Sequence, residues 1–114
     1  MKKDKRVEKG LRRCRGSKCT TYKRVFGYPF ALVEAGTTRY KGGDAGHGSC
    51  ALFILENTGG NVRIAVKDSE GRVHTFDFPQ SIRITVSGDM EIRQLLESLS
   101  FAVAVLKAEL EKGE

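Results

Sequence analysis

Five of the nine aromatic residues fall between positions 22 and 40: Tyr22, Phe26, Tyr28, Phe30 and Tyr40. Lys23, Arg24, Arg39 and Lys41 stand among them. Rings accept stacked bases of any sequence, at roughly 1–3 kcal/mol each, while cations follow a phosphate backbone. Such a mixture suits an unpaired nucleic-acid strand. Immediately upstream, the first 24 residues hold 11 of the 20 Lys and Arg and only two of the 14 acids. Their net charge of +9 exceeds the +6 of the whole chain, residues 25–88 balance, and residues 89–114 carry −3. A concentrated basic block binds polyanions by releasing their counterions, without reading sequence. Arg12, Arg13, Arg15 and Lys18 join Lys23, Arg24, Arg39 and Lys41 as candidate phosphate contacts. Tyr22, Tyr28 and Tyr40 are the candidate stacking rings. Phe26, Phe30 and Phe53 are expected in the core, where large apolar rings usually lie.

The cysteines and histidines offer other chemistry. Cys14 and Cys19 have C-x4-C spacing, and His47 stands three residues before Cys50. Together they have the ligand count of a three-Cys, one-His zinc site, though C-x4-C is looser than the usual spacing. Cys14 with Cys19 could instead form a disulfide. Cys50 begins an apolar run and fits a buried core thiol. No metal or other cofactor is assigned. The Gly-rich stretch 42–48 lacks the Gly-Lys-Ser/Thr ending of a phosphate-cradling loop. His74 and Asp77 fall on opposite faces of a regular strand, and His47 and Asp44 share a flexible loop. Neither pair is preorganised for catalysis, so a non-enzymatic role is expected.

The elements that position these residues follow from pattern. Residues 1–19 read as a basic arm with a short helical stretch around Val7–Arg13. Alternation then marks strands at Thr20–Phe26, Phe30–Glu34 and Thr37–Lys41, the last two flanking a hairpin at Ala35–Gly36. Further strands are expected at Ser49–Glu56, Asn61–Lys67, Val73–Phe78 and Ser81–Val86. From Asp89, a candidate N-cap, Ile92, Leu95, Leu96, Leu99, Ala102, Val103, Leu106 and Leu110 recur at helical spacing to about Lys112, with Gly113 as the stop. The fold class is α+β: an antiparallel meander of five or six strands followed by one long C-terminal helix. The expected division is an arm at 1–19 and one domain at 20–114, with the sheet at 20–86 and the helix at 89–112. The run Phe101-Ala-Val-Ala-Val-Leu106 turns apolar residues to every side of that helix. Self-association there, as a dimer or tetramer, is expected.

No apolar run approaches the roughly 20 residues that span a bilayer, and the odd count of three cysteines argues against a secreted disulfide framework. A cytoplasmic protein without a membrane partner is expected. Across residues 12–110 the organisation resembles the small archaeal single-stranded DNA-binding proteins of Thermoproteales and their relatives. They share a basic N-terminal segment, an antiparallel sheet with exposed aromatics and a leucine-bearing C-terminal helix. The resemblance implies an archaeal, non-catalytic binder of single-stranded nucleic acid, DNA in preference to RNA, whose helix assembles subunits. The alternative is a protein-interaction or assembly subunit that docks through its apolar helix and carries a structural zinc site.

Overall fold

A computed structural model describes residues 7–14, 16–26, 30–41, 48–57 and 61–113. Seven strands precede one helix: β1 (Val7–Cys14), β2 (Ser17–Val25), β3 (Phe30–Thr37), β4 (Cys50–Asn57), β5 (Arg63–Lys67), β6 (Val73–Asp77), β7 (Ser81–Ser87) and α1 (Asp89–Lys112). The α+β class and the antiparallel sheet followed by a terminal helix agree with the sequence reading. Strands β1, β2, β3, β4 and β7 form one sheet in that order, and β5 pairs with β6 as a separate hairpin. The meander is thus interrupted, because β5 and β6 are inserted between two strands that neighbour each other in the sheet.

Three local expectations are corrected. Val7–Cys14 is an edge strand rather than an arm with a helical stretch, and the supposed boundary at residue 19 falls inside β2. The ladder to β2 along the whole strand and the buried Cys14 supply the pairing that a free arm would lack. Residues 1–6 lie outside the described residues. Ala35–Gly36 is not a turn, because β3 runs unbroken through it, flanked on both sides by ladder partners. Gly88, not Asp89, is the N-cap of α1; its φ of 110° suits only glycine, and it lets the chain pass from β7 into the helix in a single residue.

Register sorts the five-stranded sheet into two faces, since paired residues point the same way and neighbours in sequence point oppositely. One face carries Gly10, Arg12, Cys14, Cys19, Thr21, Glu34, Gly36, Cys50, Leu52 and Ile54. Cys14, Cys19, Thr21, Glu34, Cys50, Leu52 and Ile54 are all buried there. This inner face is concave. Thr21 is flanked in register by Gly10 and Gly36. A Cβ on Gly36 would collide with the Thr20 carbonyl and come within 2.7 Å of the Thr21 Cγ2, so glycine is required there, while one on Gly10 would press on the Thr21 Oγ1 at 3.1 Å. In a flat sheet, strands three places apart stand about 14 Å from one another. A disulfide joins Cys14 on β1 to Cys50 on β4 with their Cα atoms 6.3 Å apart, so the sheet is tightly rolled. Closing a loop of 36 residues contributes about 4 kcal/mol by chain entropy. The disulfide does not pair Cys14 with Cys19, because the hairpin register sets Cys19 opposite Arg12 instead.

Glu34 is the inner face's one buried carboxylate among the described residues, 2% exposed. Arg12 Nε donates to its Oε2 at 2.7 Å. That guanidinium is the main cause holding the Glu34 carboxyl below its ordinary 4.5, against desolvation, which acts the other way. A depressed carboxylate contributes stability that is present above its unfolded value and is lost as pH falls through the folded one.

The Arg12→Ala variant strands a buried charge. It is expected to lose about 2–3 kcal/mol at neutral pH, somewhat less than for a fully buried pair because Arg12 is a third exposed. Urea unfolding measured at neutral pH and again below pH 4 checks the sign. The native chain should weaken on acidification, whereas Arg12→Ala should weaken less. Equal acid sensitivity in both would show that the pair is not what stabilises Glu34.

Candidate functional site

The opposite face of the sheet is convex and carries different chemistry. On β1 it presents Val7, Lys9, Leu11 and Arg13; on β2 Lys18, Thr20, Tyr22 and Arg24; on β3 Val33, Ala35 and Thr37. Among the described residues of these three strands, every acid falls on the inner face, where Glu8 and Glu34 meet Arg12 and Lys23. The outer face has four cations and no carboxylate. Alternation along the strands therefore separates charge across the thickness of the sheet.

Lys9, Lys18, Thr20, Tyr22, Thr37, Thr38 and Arg39 line one open cleft of about 440 Å³ on this face. Lys9 and Tyr22 are direct partners across the β1–β2 ladder. Tyr22 is 39% exposed, so its ring forms the floor while remaining open to solvent. Lys18 stands four residues away on the same strand, about 13 Å at strand rise. Further along, the Arg24 guanidinium lies over the Phe26 ring, 4.6 Å from its centroid. Phe26 is 57% exposed, which corrects its assignment to the core. It lies just beyond β2, past the region the sheet covers. A guanidinium stacked on an exposed ring holds both groups flat.

Arg39 closes the cleft at the end of β3 with an unusual backbone. Its φ is 73°, the left-handed region that side-chain-bearing residues rarely enter, and its N–H donates to Thr37 Oγ1 at 3.0 Å. Thr37 Oγ1 in turn donates to the Cys50 carbonyl at 2.9 Å. The hydroxyl thus pins the turn that carries the cation. Left-handed residues other than glycine concentrate at functional positions, because the surroundings must maintain them.

Beyond Arg39 the same face becomes apolar. A groove of about 580 Å³ opens between α1 and the sheet, lined by Arg39, Tyr40, Ala51, Phe53, Ile92 and Leu99 among others. Arg93 reaches over the Tyr40 ring at 5.8 Å. Lys41 N–H donates to Asp89 Oδ1 at 3.3 Å, which ties the start of α1 to the end of β3.

The structure therefore gathers some of the candidate residues and separates others. Arg13, Lys18, Tyr22, Arg24 and Arg39 share the outer face. Arg12 points inward and is engaged by Glu34, and Lys23 shares that inner face. Tyr40 and Lys41 sit at the helix start rather than on the strands, with Tyr40 half exposed. Arg15 and Tyr28 lie outside the described residues. Lys9 is absent from the sequence-derived candidates because residues 1–19 read as an arm; its place beside Tyr22 comes from the β1–β2 register. Of the alternative zinc ligands, Cys14 and Cys50 are joined to each other, Cys19 is buried beside them and His47 lies outside the described residues. No group of three metal-ligating side chains occurs among the described residues. His74 and Asp77 engage separate partners, Asp68 at 3.0 Å and Arg63 at 2.6 Å.

No helix among the described residues is long and apolar enough to cross a membrane. Comparison of this chain with protein-family models, curated proteins and solved structures found no match.

The backbone at Arg39 makes its own forecast. Arg39→Gly should leave stability unchanged or slightly higher, whereas Arg39→Val, branched at Cβ, should cost about 1–2 kcal/mol. Chemical denaturation of both variants measures this. A marked loss in Arg39→Gly would mean that the side chain, not the cleft, is the reason for the strained turn.

Proposed function

We propose that the chain is a non-catalytic binding protein for single-stranded nucleic acid and that the outer face of β1–β3 is its binding surface. One observation carries this reading: alternation puts Lys9, Arg13, Lys18 and Arg24 on the same face as the open Tyr22 ring, with no carboxylate on that face of β1–β3. A polyanion meets uncompensated cations, and a splayed base meets a ring. Duplex readout is less suited to this surface. The long helix is acidic and apolar rather than basic, and it is the one helix among the described residues, so none of them forms a helix pair that could enter a groove.

The helix supports the second part of the reading, that copies of the chain associate through α1. At 24 residues α1 is about 36 Å long, yet only Ile92 is buried. Phe101 is 72% exposed, and Val103, Val105, Leu106 and Leu110 are exposed with it. The radius of gyration is 16.0 Å, against about 13 Å for a compact chain of this length. An isologous contact would cover the same residues on two copies at once. Each large apolar side chain so buried contributes about 1.5–3 kcal/mol. Docking on a different protein is the competing reading of the same apolar surface.

Fluorescence anisotropy of oligo-dT and oligo-U at rising salt tests the binding surface. With four or five phosphates neutralised, log K should fall against log salt with a slope of about −3. The Lys9→Ala/Lys18→Ala pair should flatten that slope by about 1.4. Tyr22→Ala should instead weaken binding about tenfold at every salt concentration. Loss confined to cation variants would remove the stacking element, and no binding at low salt would remove the reading.

Molar mass in solution tests the helix. A mass of at least twice the 12.6 kDa of one chain is expected. Phe101→Glu with Leu106→Glu should return it to a single chain with the circular dichroism of the native protein retained. A native chain that is already monomeric would leave a different protein as the occupant of this surface.

A further inference from the structure

The disulfide is placed where it can act on the outer face. Cys14 ends β1 and Cys50 begins β4, with two strands between them in the sheet. We propose that Cys14 and Cys50 form a dithiol–disulfide latch that sets the roll of the sheet and so the spacing of the cations around Tyr22.

The bond ties β1 to β4 across a β2–β3 ladder that already joins the two halves of the sheet, so it sets their curvature rather than their connection. Strand β1 is an edge strand whose ladder runs to β2 alone. Its remaining described links inward are the Arg12–Glu34 pair and the Cys14–Cys50 bond. Lys9 and Lys18 belong to the β1–β2 hairpin, while Thr37, Thr38 and Arg39 belong to the far side of the cleft. Cys14 lies four residues from Lys18, and Cys50 accepts from Thr37 and pairs with Thr38 through both backbone groups. The bond thus joins the two walls of the cleft from beneath. Opening it frees the hairpin to flatten toward the ordinary strand spacing, which changes the splay of the outward side chains on the convex face and shifts Lys9 and Lys18 relative to Arg39.

Cys19 is the third thiol of the same cluster and is fully buried. Burial pushes its thiol above the ordinary 9.0, so it stays protonated and does not attack its neighbours. The exchange must come from outside. A small dithiol attacks one sulfur of the Cys14–Cys50 bond and forms a mixed disulfide; its second thiol then displaces the protein sulfur. Cys14 and Cys50 gain two electrons and two protons as thiols, and the reagent leaves as its own disulfide. Both cysteines are buried, so the attack waits on opening of the β1 end.

The latch depends on the proposed binding surface only for its consequence, and the two are tested separately. Alkylation of the unfolded, unreduced chain should label one cysteine, and three after treatment with dithiothreitol. Amide hydrogen exchange in β1 should accelerate on reduction while β4 and β7 stay protected. Oligo-dT affinity should fall about fivefold or more on reduction. Cys14→Ser and Cys50→Ser should match the reduced protein and ignore dithiothreitol, and Cys19→Ser should respond as the native chain does. Three labels in the unreduced chain, with or without a bound zinc ion, would overturn the latch, as would identical β1 exchange in both forms. If labels and exchange respond while oligo-dT binds neither form, the latch stands and the nucleic-acid reading of the outer face fails.

Discussion

Three strands can close over a core of a few small side chains because Thr21 is flanked in register by Gly10 and Gly36. Without side chains on either side of that threonine, β1, β2 and β3 approach on the inner face and the sheet rolls. The roll brings Cys14 to Cys50, and Arg12 to Glu34. It also makes the other face convex, with Lys9, Leu11, Arg13, Lys18 and Tyr22 exposed on it. Burial on one side and exposure on the other are consequences of the same bend.

Charge follows from the period of two. The acids of β1–β3 occupy inward positions, where cations compensate them, and the outward positions keep their positive charge unopposed. A one-residue slip of β1 against β2 would exchange the faces, sending Lys9 inward and Arg12 out. Register therefore matters more to the outer surface than the total charge does. Among the described residues the core is small, and the large apolar residues of α1 beyond Leu99 are exposed. A domain of this length ordinarily buries more of its apolar surface. The same shortage makes the disulfide and the Arg12–Glu34 pair weigh more heavily in stability than they would under a large core.

Much of the architecture was legible in the sequence. The helix from 89 to 112 and strands β4, β5, β6 and β7 followed from periodicity, since each has a clear apolar alternation or stripe. The N-terminal strand did not, because eight Lys and Arg up to residue 15 outweigh its few apolar residues, and Val7 and Leu11 fall on one face while Cys14 falls on the other. Basic composition was read as an arm when the side chains alternate between two faces. Ala35–Gly36 was read as a turn because a glycine is a turn signal, whereas here it admits Thr21. The site was half legible: Tyr22, Lys18, Arg24 and Arg39 were named, while Lys9 and the inward turn of Arg12 needed the register. The pairing of Cys14 with Cys50 could not be read at all, because no spacing reveals a contact made by rolling a sheet.

The central claim is that the outward side chains around Tyr22, and not the inner face, meet the nucleic acid. Titration of oligo-dT into isotope-labelled protein, followed through backbone amide and tyrosine ring resonances, tests it most directly. Shifts should concentrate at Lys9, Lys18, Thr20, Tyr22, Thr38 and Arg39, with Leu52 and Ile54 still. Shifts centred on the inner face or on α1, with the Tyr22 ring unmoved, would contradict the account.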